Sequence, residues 1–181
     1  FLLVFIAIIF AIGLCLLMIV PKSKSNLETV IENYMKDITV VEGENLDRDL
    51  ANEGADTVLS AEALQDDLKG ISISGMPSSY AYIFSGTDGT MLYHPTADKI
   101  GLQVENAAAK QLLTEIGEGK KPEPSVIEYE FKGKQKYAAY YIGNEAAFVL
   151  IITADGDEVF ASLNETTNYS LIGALVLILI C

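Results

Sequence analysis

The chain has 181 residues, a formal net charge of −13, one histidine, one arginine and two cysteines. That balance speaks against nucleic acid and anionic lipid as partners, since both call for basic patches. Both cysteines, Cys15 and Cys181, fall in apolar end segments, so the stretch between them is expected to carry neither disulfide nor thiolate chemistry.

Residues 1–20, FLLVFIAIIFAIGLCLLMIV, contain no charge and no strongly polar side chain. Twenty residues at about 1.5 Å rise match the roughly 30 Å hydrocarbon core of a bilayer. The run is longer than a signal-peptide core and is followed by a poor cleavage site, so an uncleaved transmembrane helix is expected at 1–20. The chain opens on Phe1, so a cytoplasmic leader is expected before it. Lys22 and Lys24 follow the run, but long loops largely escape the positive-inside rule, and charge leaves the orientation open.

Residues 21–78 form a membrane-proximal helical region. Leu27, Val30, Ile31, Tyr34, Met35, Ile38 and Val41 fall at spacings of three and four, the stripe of an amphipathic helix. The stripe predicts packing on the chain's own sheet, homodimerisation, or a share of each. Gly43 and the Asn52-Glu53-Gly54 run weaken the helix. Ser60 predicts a cap for a short helix that stops at Gly70.

The period then changes. SYAYIFS (79–85) alternates as a strand, GTDG is a hairpin turn, and TMLYH (90–94) is the partner strand, ended by Pro95. Residues 105–117 read as a helix. SVIEYEF (125–131), QKYAAYYI (135–142) and AAFVLIIT (146–153) read as three strands, the last apolar enough to be central. Asp155 and Glu158 sit three apart in a capping pattern and predict a connecting helix over 155–170. Residues 171–181, LIGALVLILIC, read as the start of a second, truncated transmembrane helix. The fold class is therefore α+β: a long N-terminal helix, then a five-stranded antiparallel sheet over 79–154 with flanking helices, bracketed by two transmembrane helices.

The stretch YAYIFSGTDGTMLYHPTADKIGLQVEN, followed by GKKPEPSVIEYEFKGKQKYAAYYI and AFVLIITADGDEVF, resembles the single Cache sensor domain of bacterial methyl-accepting chemotaxis proteins. It resembles the version common in clostridia-like bacteria. The resemblance spans about residues 24–165, and rests on Asp88-Gly89, His94-Pro95, Ile100-Gly101 and the strand ending in ITAD. It implies a PAS-like extracytoplasmic sheet over a small-molecule pocket, with cytoplasmic signalling helices beyond residue 181. The family's usual tryptophan before the last strand is absent here, and Phe148 sits about there.

His94 has no cysteine or second histidine near it, so a zinc site is not expected. No nucleophile elbow and no phosphate loop occurs, and enzyme activity is not expected. Two readings of His94 remain: a strand-end residue bonded to loop backbone, and a ligand contact at the pocket mouth. Seven of the nine tyrosines lie between 80 and 141, and tyrosine suits a pocket that stacks and orients a small polar molecule. It is also a common strand residue, and the pocket-facing side of the strands is not readable. Arg48 lies in the helical region, so Lys136 is the expected anion partner on the sheet. The expected ligand-binding set is Tyr82, Tyr93, His94, Lys136, Tyr137 and Tyr140, with no cofactor and no metal. The expected ligand is a small molecule, an amino acid or a short carboxylate. The expected protein is a two-span membrane chemoreceptor, extracytoplasmic over 21–170. The alternatives are the same sensor on a histidine kinase or cyclic-dinucleotide enzyme, a ligand-free tethered module, and a tethered hydrolase.

Overall fold

The computed structural model describes residues 2–161, 169, 172 and 173. The chain divides into two units. Phe1–Ile31 and Val159–Cys181 make one, and Glu32–Glu158 make the other. Helix α1 (Leu2–Glu53) carries the leading apolar run, Pro21 and the amphipathic stripe in one continuous helix. Among the described residues, no helix is long and apolar enough to cross a membrane. Several side chains of residues 1–20 lie outside the described set, as does nearly all of 171–181.

Within Glu32–Glu158, two short helices follow α1: α2 (Ala55–Val58) and α3 (Ala61–Leu68). Ser60 caps α3, its hydroxyl accepting from Ala63 N at 3.3 Å, and Leu64 and Leu68 are buried. The strands are β1 (Tyr80–Phe84), β2 (Met91–Tyr93), β3 (Ser125–Phe131), β4 (Lys134–Ile142) and β5 (Val149–Asp155). They form one sheet in the order β2-β1-β5-β4-β3, with the wholly buried β5 at its centre. Every pairing is antiparallel. The hairpin β3–β4 turns through Lys132 and Gly133, both at positive φ, the backbone that a two-residue hairpin turn requires.

Register sorts the side chains onto two faces. Tyr82 pairs with Ile151, Ile151 with Tyr140, and Tyr140 with Ser125, so these share a face. The same face carries Tyr80, Phe84, Tyr129, Lys136, Thr153 and Asp155. Helix α4 (Ala107–Gly117) covers part of it with Ala108, Ala109 and Leu112, which join Tyr82, Phe84, Tyr140 and Ile151 in one core. Tyr137, Tyr141, Ile83 and Ile152 point to the other face. There α1 makes close contact at Gly43, where a Cβ would stand 2.2 Å from the Tyr141 ring. The Tyr141 hydroxyl donates to Asp47 Oδ2 at 2.8 Å on the next turn of the helix. Gly43 therefore marks a close approach to the sheet, and the helix runs on through it for ten more residues.

The expected capping pair Asp155 and Glu158 is a correction. Asp155 is the last residue of β5, and its carboxylate is held by lysines. Glu158 instead accepts from Ser78 N and Ser78 Oγ, at 2.8 and 2.5 Å. Helix α5 (Gly156–Val159) follows directly.

Candidate functional site

A cleft opens beside α4 on the face that carries Tyr82. Its walls are Tyr80 and Tyr82 from β1, Met91 from β2, and Tyr129 and Phe131 from β3. The segment from His94 to Asn106 closes it with His94, Lys99, Leu102, Gln103, Glu105 and Asn106. The cleft is a slot of about 440 Å³, part of it open to solvent.

The sequence builds this slot through an irregularity. Ile83 pairs with Tyr93, but Phe84 pairs with Met91, so β2 holds one extra residue opposite β1. Met91 and His94, three apart, would face opposite sides of a regular strand. The bulge turns both toward the cleft and leaves Tyr93 on the other face with Ile83. Past His94 the chain is tied back to β2: Gly101 N donates to Met91 O and Met91 N to Leu102 O, each at 2.8 Å. Gln103 Nε2 also reaches Thr90 Oγ1 at 3.1 Å.

His94 is buried against two tyrosines, its ring centroid 5.3 Å from Tyr80 and 5.9 Å from Tyr82. Nδ1 accepts from Thr96 N at 2.9 Å, so the neutral ring carries its proton on Nε2, for which the described residues offer no partner. Burial, aided by the positive charge of Lys99, lowers the His94 pKa from 6.5 to about 4. At neutral pH His94 is thus an uncharged donor, and a poor general base. Asn106 caps α4 through Oδ1, which accepts from Ala109 N at 2.9 Å, while its amide donates to the Tyr82 hydroxyl at 3.0 Å. Tyr129 shares a 3.3 Å bond with Thr153. Burial, together with the nearby Tyr129 and Asp155, pushes the Tyr80 hydroxyl up to about 12, and burial raises Tyr82 well above 10. The tyrosine hydroxyls are therefore protonated throughout the physiological range.

Of the residues expected from the sequence, Tyr82 and His94 line the cleft together. Lys136 sits at its edge, Nζ 5.8 Å from the Tyr80 ring, and bonds Asp155 Oδ1. Both side chains are about nine-tenths buried, and Lys134 holds the second carboxylate oxygen at 2.5 Å. Burial alone would raise the Asp155 pKa, but the two lysines outweigh it and hold the carboxyl below its usual value. Tyr140 shares the cleft's face but lies under α4, its hydroxyl donating to Glu123 O at 2.8 Å. Tyr93 and Tyr137 lie on the other face. So does Phe148, stacked on Tyr141 with centroids 6.2 Å apart. Tyr80, Met91, Lys99, Asn106, Tyr129 and Phe131 were not singled out from the sequence. Alternation from Tyr82 was a usable signal for Tyr80 alone.

No family model and no curated protein matches the sequence. Among solved structures, a methyl-accepting chemotaxis protein from Vibrio parahaemolyticus RIMD 2210633 is similar over 77% of this chain and 98% of that one. Its TM-score is 0.56 at 10% identity. A Cache chemosensory domain solved for carboxylic acid recognition is similar over 74% of this chain and 98% of that one, at TM-score 0.48 and 15% identity. The extracellular domain assigned to histidine kinase mmHK1S-Z2 is similar at 22% identity and TM-score 0.44, over 55% of this chain; the chain spans 38% of that domain's length. The chain shares its fold with the methyl-accepting chemotaxis protein from Vibrio parahaemolyticus.

Proposed function

We propose that this chain is the extracytoplasmic sensing region of a membrane receptor, and that the slot between Tyr80, Tyr82, Tyr129 and His94 is its ligand site. The observation that carries the reading is the slot itself: aromatic walls, a neutral imidazole with a free donor, and protonated tyrosine hydroxyls. Apolar walls with a few converging polar groups are the usual form of a small-molecule site. A low-pKa histidine whose Nδ1 is already taken suits binding better than base catalysis. Amino acids and short carboxylates are the ligand classes to try first, since structures similar to this one were solved with asparagine, with L-Arg and for carboxylic acid recognition.

In this reading residues 1–20 and the segment from 171 are membrane helices, and residues 21–170 lie outside the cytoplasm. The stripe of α1 from Leu27 to Val41 takes part in homodimer contacts. A ligand favours one of two arrangements of the sheet and its terminal helices, and can shift their balance only by its differential affinity, typically about 1–3 kcal/mol. Signalling helices of a chemoreceptor beyond residue 181 receive the change.

A thermal-denaturation screen of the chain against amino acids and short organic acids tests this. At least one compound is expected to raise the melting temperature in a saturable way. If none does, the chain is a tethered module without a ligand.

A further inference from the structure

Two adjoining serines, Ser78 and Ser79, stand just ahead of β1, where the slot meets the point at which the chain leaves the sheet. Buried Ser79 shapes the approach: its hydroxyl donates to Met76 O and accepts from Ile73 N, each at 2.6 Å, and so ties a tight loop. Ser78 faces the exit. Its N–H and its hydroxyl both donate to Glu158 Oε2, and the same hydroxyl accepts from Asp155 N at 2.9 Å. One residue thus holds the end of β5 and the first turn of α5. The place is gripped from β4 as well. Lys134 and Lys136 hold the Asp155 carboxylate, and a Cβ on Gly156 would meet Gln135 O at 3.2 Å. Charge-assisted bonds of this kind are strong but weaken steeply once their geometry is lost.

On the slot side three rings pack on one another. Tyr80 and Tyr82 stand 6.1 Å apart, Tyr80 and His94 5.3 Å, and Tyr82 and His94 5.9 Å. A molecule that stacks among them must part them. Tyr82 is buried and bonded to Asn106, and His94 is bonded to Thr96 N. Tyr80 is half-buried, and its hydroxyl makes no hydrogen bond among the described residues, so it is the wall that yields. Two routes lead from it to the exit. Tyr80 opens β1 two residues after Ser78, and Lys136, bonded to Asp155, lies over its ring.

We propose that Tyr80 and Ser78 form a latch between the slot and the end of β5, with the bonds above as its closed form. An occupant that parts Tyr80 from His94 draws Ser78 off Glu158 and frees the turn after β5. This rests on the slot being the ligand site, and adds how occupancy is passed on from it. Ser78 is a positioning residue: it touches no ligand and acts through Asp155 and Glu158.

A covalent occupant tests the latch in the full chain in nanodiscs. In a chain with Cys15→Ala, Cys181→Ala and Leu102→Cys, the new thiol is capped with benzyl or methyl methanethiosulfonate; position 102 lines the slot and is exposed enough to be reached. The readout is hydrogen exchange of the Ser78 and Asp155 amides, the two N–H groups that the latch itself bonds. The benzyl cap is expected to speed both by roughly 5- to 100-fold, and the methyl cap to leave them unchanged. Tyr80→Ala is expected to abolish the benzyl effect, because the yielding ring is gone. By reciprocity, Ser78→Ala is expected to favour the benzyl over the methyl disulfide, in exchange with the two free thiols, by the same factor. Ser78→Thr keeps the hydroxyl and is expected to leave that equilibrium unmoved. Glu158→Gln is expected to shift it as Ser78→Ala does, and serves if the latter folds poorly. Equal amide exchange under the two caps overturns the inference. So does acceleration that survives Tyr80→Ala, or a thiol equilibrium that neither Ser78→Ala nor Glu158→Gln moves. Each of these leaves the sensor reading standing, since that is decided by the compound screen. A screen in which no compound binds removes the sensor reading and the latch with it.

Discussion

His94 shows how one side chain reads its surroundings. Its imidazole is wedged between two tyrosine rings and accepts a backbone N–H, and both features favour the neutral form. The folded pKa, about 4, lies below the unfolded value of 6.5, so the unfolded chain binds more protons between those values. Stability contributed by this residue is full above pH 6.5, falls as the pH drops toward 4, and changes no further below that. Urea denaturation at a series of pH values should show that His94→Gln has a flatter slope than the wild type in this window. Parallel slopes would mean that the ring is not held neutral. Asp155 makes the opposite case, a buried charge kept ionised by two lysines. Asp155→Asn leaves Lys136 buried without its counter-ion and should destabilise by about 3–5 kcal/mol. Lys134→Ala, at an exposed position, should cost far less in the same denaturation assay.

At the scale of elements, Asn106 links a helix start to the cleft wall. Asn106→Ala removes the cap, worth about 1 kcal/mol, and leaves the buried Tyr82 hydroxyl without its donor. Asn106→Asp keeps the cap but not the donor. Melting temperatures should therefore fall in the order wild type, Asn106→Asp, Asn106→Ala; equal losses in the two variants would deny the cap its share. The elements themselves were largely legible. Alternation in SYAYIFS and an unbroken apolar run at 149–152 are local signals, and the strands lie within a few residues of where these put them. Gly43 was legible only as a weak helix former. Its reason, a tyrosine ring pressed on the helix backbone, lies 98 positions away in the chain. The extra residue of β2 was illegible too. A bulge leaves no mark on a three-residue strand, yet it brings Met91 and His94 to one side.

For the whole molecule, two facts could not come from pattern alone. One is the strand order, in which β1 pairs with β5 across the chain; the other is which face α1 covers and which face holds the slot. Without them the tyrosines could not be divided, and the expected set mixed Tyr82 with Tyr93 and Tyr137 from the far side. The charge pattern had the same limit. A total of −13 speaks against nucleic acid as a partner but conceals four lysines drawn together by a hairpin and a loop. In the proposed function a small molecule sits between β1, β3 and the segment from His94 to Asn106. Hydrogen exchange of the chain, with and without a compound that raises its melting temperature, tests this most directly. Slower exchange in residues 94–106 and β1 is the predicted result. Protection confined to the groove lined by Lys121, Pro124 and Tyr141, with residues 94–106 unchanged, would contradict it.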